Sequence, residues 1–415
     1  MRLSFICIIL FVFSSFTYSK ETKPIVVLLS IDGFAYEYLK IHQPPNLLSL
    51  VKQGVVAKLN PVYPSKTFPN HVSIITGSYP LTHGIINNKF YHPILAEQYF
   101  KGAGKQNSSW LKTDPFWTVA EKQGIKTAVY FWPESEAIGK SPTYNIPFNK
   151  TDSNKARFVQ ILKWLKLPIE QRPQFIASYF SSVDSAGHVF GPNSKELSAA
   201  IKEIDDLIGD FSASLKNEIS HDVKIIIVSD HGMVETDSTK VIKPSMLFDA
   251  QISKLIKNKS LVISSNDTQL LLYFTNPDTN HKTIAQVKRK LAKNADNKGL
   301  FSIYAKGGYP KHWHLNKNSK LVPDIIIEAI PPAVFVRENF NPKYLGKGTH
   351  GYDAINEKNL AGIFIAAGKG VSKGITIKPF ENIHVFPFMS ELLSIKQADD
   401  IDGSSEKLSP YLFEQ

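Results

Sequence analysis

The sequence predicts an α/β fold: a doubly wound, mostly parallel sheet flanked by helices, with a smaller α+β insertion. Three observations carry this prediction. Residues 24–31, 175–180 and 223–229 are nearly continuous apolar runs, the mark of strands buried on both faces. Between them, 156–167 and 194–215 have helical spacing, the second with Leu197, Ile201, Ile204 and Ile208 on one stripe. Each run also leads into acidic residues: Asp32-Gly33, Asp184 through His188, and Asp230-His231-Gly232. Open parallel sheets place their ligands at the carboxyl ends of strands.

The 415 residues, 43% apolar and 20% charged, allow one large domain with an insertion. Arg2, the apolar run 3–13 and Thr17-Tyr18-Ser19 have the order of a signal peptide, so 1–19 is expected to be cleaved. An uncleaved anchor is the alternative. The expected location is therefore periplasmic or secreted, with no stable membrane span in the mature chain. Cys7, the only cysteine, lies within that leader, so the mature chain has no disulfide. Without Arg2 the formal charge falls from +11 to +10 (47 basic, 37 acidic). The lysines are scattered rather than interleaved with aromatics, which argues against a specific nucleic-acid partner.

In chain order, Thr67 falls at the first turn of a helix that Pro69 and Asn70 help to start and Gly77 stops. An open helix N-terminus can hold an anionic phosphoryl group beside that hydroxyl. Asn88 follows in a polar loop. Residues 114–123 read as a helix with Asp114 as cap and Pro115 first; 125–132 read as a strand. The connection 133–149 carries Tyr144 and Phe148, which suit either a cleft or the core. Asp184 and His188 are brought together by a turn in this reading. From 233 to about 345 the pattern becomes α+β: paired strands at 261–264 and 269–274, a helix at 281–293 and a strand at 324–328. His312-Trp313-His314 reads as a loop. Glycines flank His350, and a strand at 361–367 and a helix at 383–393 end the domain.

Asp32, Asp184, His188, Asp230, His231 and His350 form a mixed oxygen and nitrogen set that suits zinc. Split into two sites, they could clamp a phosphoryl group. Coordination to one metal would lower the pKa of the Thr67 hydroxyl, making it a competent nucleophile.

These stretches taken together resemble the nucleotide pyrophosphatase/phosphodiesterase family of the alkaline phosphatase superfamily, in its bacterial single-catalytic-domain form. The resemblance rests on Ile31 to Phe34, Lys66 to His71, Tyr79 through Asn88, Phe131-Trp132-Pro133, Asp184 to His188, Ser229 to Met233 and Gly348 to Tyr352. It implies an alkaline phosphatase-like catalytic domain over 20–415, with an insertion at about 233–345. It further implies two zinc ions per chain: Asp32, Thr67, Asp230 and His231 would hold one, and Asp184, His188 and His350 the other. Thr67 matches the nucleophile and Asn88 the residue holding a phosphate oxygen. Phe68 and Phe148, with Tyr144 as the alternative to Phe148, match a base-stacking pair. Glu134 stands where the family usually has glycine, which puts a negative charge near the expected cleft. The implied reaction is hydrolysis of nucleotide phosphodiester or pyrophosphate bonds through a phosphothreonine; the expected partner is a small phosphodiester substrate, and a monomer is expected. Alternatives are a choline-lipid or lysophospholipid phosphodiesterase and a catalytically inactive phosphate-binding protein.

Overall fold

The computed structural model describes residues 24–276, 281–294, 299–397 and 400–412; the leader assigned to 1–19 lies outside them. The main sheet has five parallel strands in the spatial order Val223–Val228, Ile25–Ile31, Phe175–Phe180, Thr127–Tyr130, Tyr144–Ile146. Gly362–Ala367 pairs antiparallel with Val223–Val228, and Gly54–Asn60 antiparallel with Gly362–Ala367. Ile375–Thr376 and Phe380–Glu381 finish that edge, parallel to Gly54–Asn60.

Every residue of Ile25–Ile31 is buried, which explains why the run is apolar throughout rather than alternating. Val26 and Leu28 point into one core with Ile74, Ile75, Phe116 and Phe386. Val27, Leu29 and Ile31 point into the other with Leu47, Phe158, Ile201 and Ile208. Helices Thr67–Thr76, Phe116–Glu121 and Val385–Leu392 thus cover one face, and Pro45–Gln53, Asn154–Leu165 and Lys195–Glu218 the other. Ser30 is the polar exception in the central strand, and its Oγ meets His71 Nε2 at 2.7 Å beneath helix Thr67–Thr76.

A second, antiparallel sheet has the order Leu261–Ser265, Gln269–Phe274, Ile325–Ala329, Phe301–Ala305. Its core joins Leu272, Ile325 and Ile327 to Ile252 of helix Ala250–Lys257 and to Ile284, Val287 and Leu291 of helix His281–Asn294.

Three local expectations need correction. Pro115 is the cap residue and the helix is Phe116–Glu121; Asp114 instead pairs with Lys122 and Lys140. Asp184 and His188 lie on a helix, Ser182–Phe190, not in a turn. Four residues is one helical turn, so the helix puts both side chains on one face. The strand expected at 125–132 stops at Tyr130, because Phe131 takes a left-handed backbone angle.

Candidate active site

The three central parallel strands each deliver one carboxylate at the same end of the sheet. Asp32 follows the middle strand, Asp230 follows its neighbour on one side, and Asp184 begins the helix after its neighbour on the other. Gly33 makes the approach possible: its φ is +72°, and a Cβ there would lie 2.9 Å from Asp184 Cα.

His231 Nε2 lies 3.0 Å from Asp230 and 3.4 Å from Asp32. Thr67 Oγ1 is 3.4 Å from the same nitrogen, at the start of helix Thr67–Thr76, whose N-terminus has no side-chain cap. On the other side, Asp184 Oδ1 is 3.3 Å from His188 and 3.7 Å from His350. The His231 and His350 rings stack at 3.5 Å, joining the halves. The structure therefore gathers all seven residues of the expected ligand set. Two triads have donor atoms within 4.8 Å of one another: Asp32, Asp230 and His231, and Asp184, His231 and His350. His231 is common to both, whereas the sequence reading gave it to one side only.

Asp32 Oδ1, Asp184 Oδ1 and Asp230 Oδ2 are buried and accept no hydrogen bond. Three orphaned carboxylate oxygens facing imidazoles are costly unless cations fill the space between them. The donor set of carboxylate oxygen, imidazole nitrogen and one hydroxyl fits a transition metal such as zinc. The electrostatics agree. Burial, then Asp184 and Asp230, push the Asp32 carboxyl well above its usual range. Burial works against the Asp230 anion too, but His231 and His71 overcome it and hold that carboxyl well below. His350 is pushed well below the usual imidazole range by burial, then by His231, Lys66 and His188. It is thus neutral, the form a metal ligand needs.

Around this cluster, Asn88 Oδ1 accepts the Phe68 backbone N–H at 2.9 Å, so its amide nitrogen is the group left to donate. Phe68 is buried, with the Lys101 ammonium 5.7 Å from its ring. Phe148 is exposed and packs on Phe131 at 4.6 Å; both rings lie against Tyr179. Tyr144 is not brought to the cluster. It stacks on Trp164 behind the sheet and donates to Gln171 O. Glu134 places no free charge in the cleft, contrary to the sequence reading. It is buried and accepts from the Tyr99 hydroxyl at 2.5 Å and the Gly104 N–H at 3.1 Å. Of the histidine pair in the loop, His312 pairs with Asp353 and His314 stacks on Tyr79, so they share no partner.

Sequence reasoning missed four supporting residues. The Tyr179 hydroxyl donates to Asp32 Oδ2. His71 Nδ1 lies 3.2 Å from Asp230 Oδ2. Buried Lys66 donates to His350 O at 2.7 Å, and Ser65 O is paired with His350 Nδ1 at 2.8 Å. His71 carried a usable signal, since it lies one helical turn beyond Thr67. A tyrosine in an apolar strand and a lysine before a helix carried none.

A family model described as type I phosphodiesterase / nucleotide pyrophosphatase matches residues 26–353, a span that includes every one of these residues. The chain belongs to that family. Membership places it among the phosphodiester and diphosphate hydrolases. An uncharacterized pyrophosphatase/phosphodiesterase of Schizosaccharomyces pombe is 33% identical over 400 residues, covering 93% of this chain and 80% of the relative. Human ectonucleotide pyrophosphatase/phosphodiesterase family member 1 is 35% identical over 91% of this chain, and the Naja atra venom phosphodiesterase 33% over 90%. The chain spans only 40% and 44% of those two longer proteins. Among solved structures, murine ectonucleotide pyrophosphatase/phosphodiesterase 5 superposes with a TM-score of 0.82 at 23% identity, over 94% of this chain and all of that one. This likeness establishes the alkaline phosphatase-like fold.

Proposed function

We propose that this phosphodiesterase-family chain hydrolyses phosphodiester or pyrophosphate bonds of nucleotides, with Thr67 as nucleophile and two zinc ions as cofactors. The observation that carries the reading is the convergence of Thr67 and three orphaned carboxylate oxygens on one histidine-lined pocket.

Asp32, Asp230, His231 and Thr67 would hold one zinc, and Asp184, His188 and His350 the other. When bound, the metals supply positive charge that favours an ionised nucleophile and balances the anionic phosphoryl group. Thr67 Oγ1 attacks phosphorus as the bond to the leaving oxygen breaks, and that oxygen keeps the bonding electron pair. Water then cleaves the threonyl–phosphorus bond, giving the nucleoside monophosphate and restoring the hydroxyl, with one water consumed overall. Asn88 donates to a non-bridging phosphoryl oxygen from its amide nitrogen. Tyr179 and His71 hold Asp32 and Asp230 in place, while Lys66 and Ser65 tie the Thr67 turn to His350. Phe68 and Phe148 offer ring faces to a nucleobase. Murine family member 5, in an inactive threonine-to-alanine form, holds AMP, which suits this reading.

The decisive test is a substrate panel. Nucleotide esters and nucleoside triphosphates are expected to give higher kcat/KM than lysophosphatidylcholine. The reverse order would transfer the assignment to the choline-lipid alternative. Turnover of no phosphoester at all would favour an inactive phosphate-binding protein. We further propose that the leader 1–19 directs the chain to the periplasm or outside the cell. No helix among the described residues is long and apolar enough to cross a membrane.

A further inference from the structure

Residues 250–298 hold nine lysines and arginines against three aspartates, a net of +6 in 49 residues out of +11 for the whole chain. Along the sequence these cations are spread out; the fold gathers them. Helix Ala250–Lys257 carries Lys254 and Lys257, with Lys259 just beyond it, and helix His281–Asn294 carries Lys282, Lys288, Arg289, Lys290 and Lys293. Neither helix contains an aspartate, a glutamate, a phenylalanine, a tyrosine or a tryptophan. Ile252 on the first helix and Ile284, Val287 and Leu291 on the second are buried against the second sheet. Burying those stripes turns the charged positions outward, and Lys254, Lys257, Lys259, Lys282, Arg289 and Lys293 are all exposed. Lys290 ties the two helices side by side: its Nζ lies 3.5 Å from Asp249, the cap of the first, and donates to Gln251. The sheet separates this surface from the candidate active site. Along Gln269–Phe274, Leu270 and Leu272 belong to the core under the two helices, whereas Leu271 and Tyr273 belong to the cluster that holds Phe68.

Three features select the partner. A face of cations with no carboxylate on either helix calls for an anionic one. Nucleic-acid surfaces add aromatic rings that stack on bases, and these helices have none. The apolar stripes are already occupied by the core, so neither helix has a face left to insert into a hydrocarbon layer. A broad patch of long, flexible cationic side chains suits a dense plane of negative headgroups. We infer that this two-helix face docks the protein peripherally onto anionic phospholipid surfaces, by charge alone. The docking is independent of the function proposed above. Each cation close to such a surface strengthens binding several-fold, and the attraction fades beyond a screening length of about 8 Å at physiological salt.

The test is co-sedimentation with vesicles, comparing phosphatidylcholine that contains about 30% phosphatidylglycerol with phosphatidylcholine alone. Wild-type protein should be retained by the anionic vesicles at about 50 mM salt, be released at about 500 mM, and leave the neutral vesicles unbound. Lys254→Gln/Lys257→Gln/Lys282→Gln/Arg289→Gln should weaken the partition onto anionic vesicles by about 100-fold, several-fold for each cation removed. Lys52→Gln/Lys155→Gln/Lys163→Gln/Lys195→Gln removes the same charge from exposed positions on the helices of the main sheet and should keep most of the binding. Both variants should melt with the wild type, since all the substituted positions are exposed. Equal losses in the two variants would overturn the assignment of this face, as would equal retention by neutral vesicles. Tighter binding to duplex DNA than to anionic vesicles at the same salt would overturn the choice of a lipid surface.

Discussion

Asp32 shows at the scale of one residue how the site is stabilised before any ligand arrives. One of its oxygens accepts from Tyr179, and the other has no hydrogen-bond partner. Burial and two neighbouring carboxylates raise its pKa, a cost that the proposed cation would relieve. Tyr179→Phe removes the orienting bond and leaves every proposed ligand in place. Its expected effect is a roughly 10- to 100-fold loss of zinc affinity, read by competition with a chromogenic chelator. Wild-type affinity would show that Tyr179 does not position Asp32. Glu134 makes a contrasting case. Its carboxylate ties Tyr99 to the Gly104 backbone, so Glu134→Ala strands two buried donors. Unfolding free energy should fall by about 2 kcal/mol while kcat/KM of the folded fraction holds. A changed substrate preference with unchanged stability would restore the cleft role that the sequence alone suggested.

Elements, more than single residues, were legible in the sequence. The three central strands could be read because burial on both faces leaves few polar residues to break the runs, only Ser30, Ser178 and Lys224 besides the tyrosine Tyr179. Helix Thr67–Thr76 could be read because proline opens it and glycine closes it. Gly77 has φ +66°, and a Cβ there would touch Phe386 at 3.0 Å. Gly77→Ala should cost about 1–2 kcal/mol and lower the melting temperature, because both the backbone angle and the packing resist it. An unchanged melting temperature would show that the helix end relaxes freely. The helix carrying Asp184 and His188 was not legible as one. Its Gly187 and polar residues read equally well as a turn, and only packing against the sheet decides. The partners of the ligands were hidden for a different reason. Tyr179 is 147 residues from Asp32, and Lys66 is 284 from His350, so no local pattern connects them.

Across the whole molecule, the second sheet is joined to the turn before Thr67 by a buried polar hub. Glu328 accepts from Tyr63 at 2.7 Å, from Gln269 at 3.2 Å and from the Asp353 N–H at 3.0 Å. Burial pushes its carboxyl from 4.5 up to about 8. The folded state therefore keeps a proton that the unfolded chain gives up above its ordinary carboxylate pKa. This contribution to stability is full below about pH 4.5 and is lost as pH rises through about 8, by a few kcal/mol in all. The melting temperature should fall more steeply with pH in wild-type protein than in Glu328→Gln across that window. Parallel slopes would mean that the hub does not titrate there.

At the same scale the proposed metals would couple to the fold, since the carboxylates that follow three strands carry buried oxygens without a hydrogen-bond partner. Turnover and zinc content measured together on Thr67→Ala test most directly whether Thr67 attacks within that centre. The expected result is a loss of turnover of at least about 100-fold with about two zinc ions per chain still bound. Near-wild-type turnover in zinc-replete Thr67→Ala would contradict it.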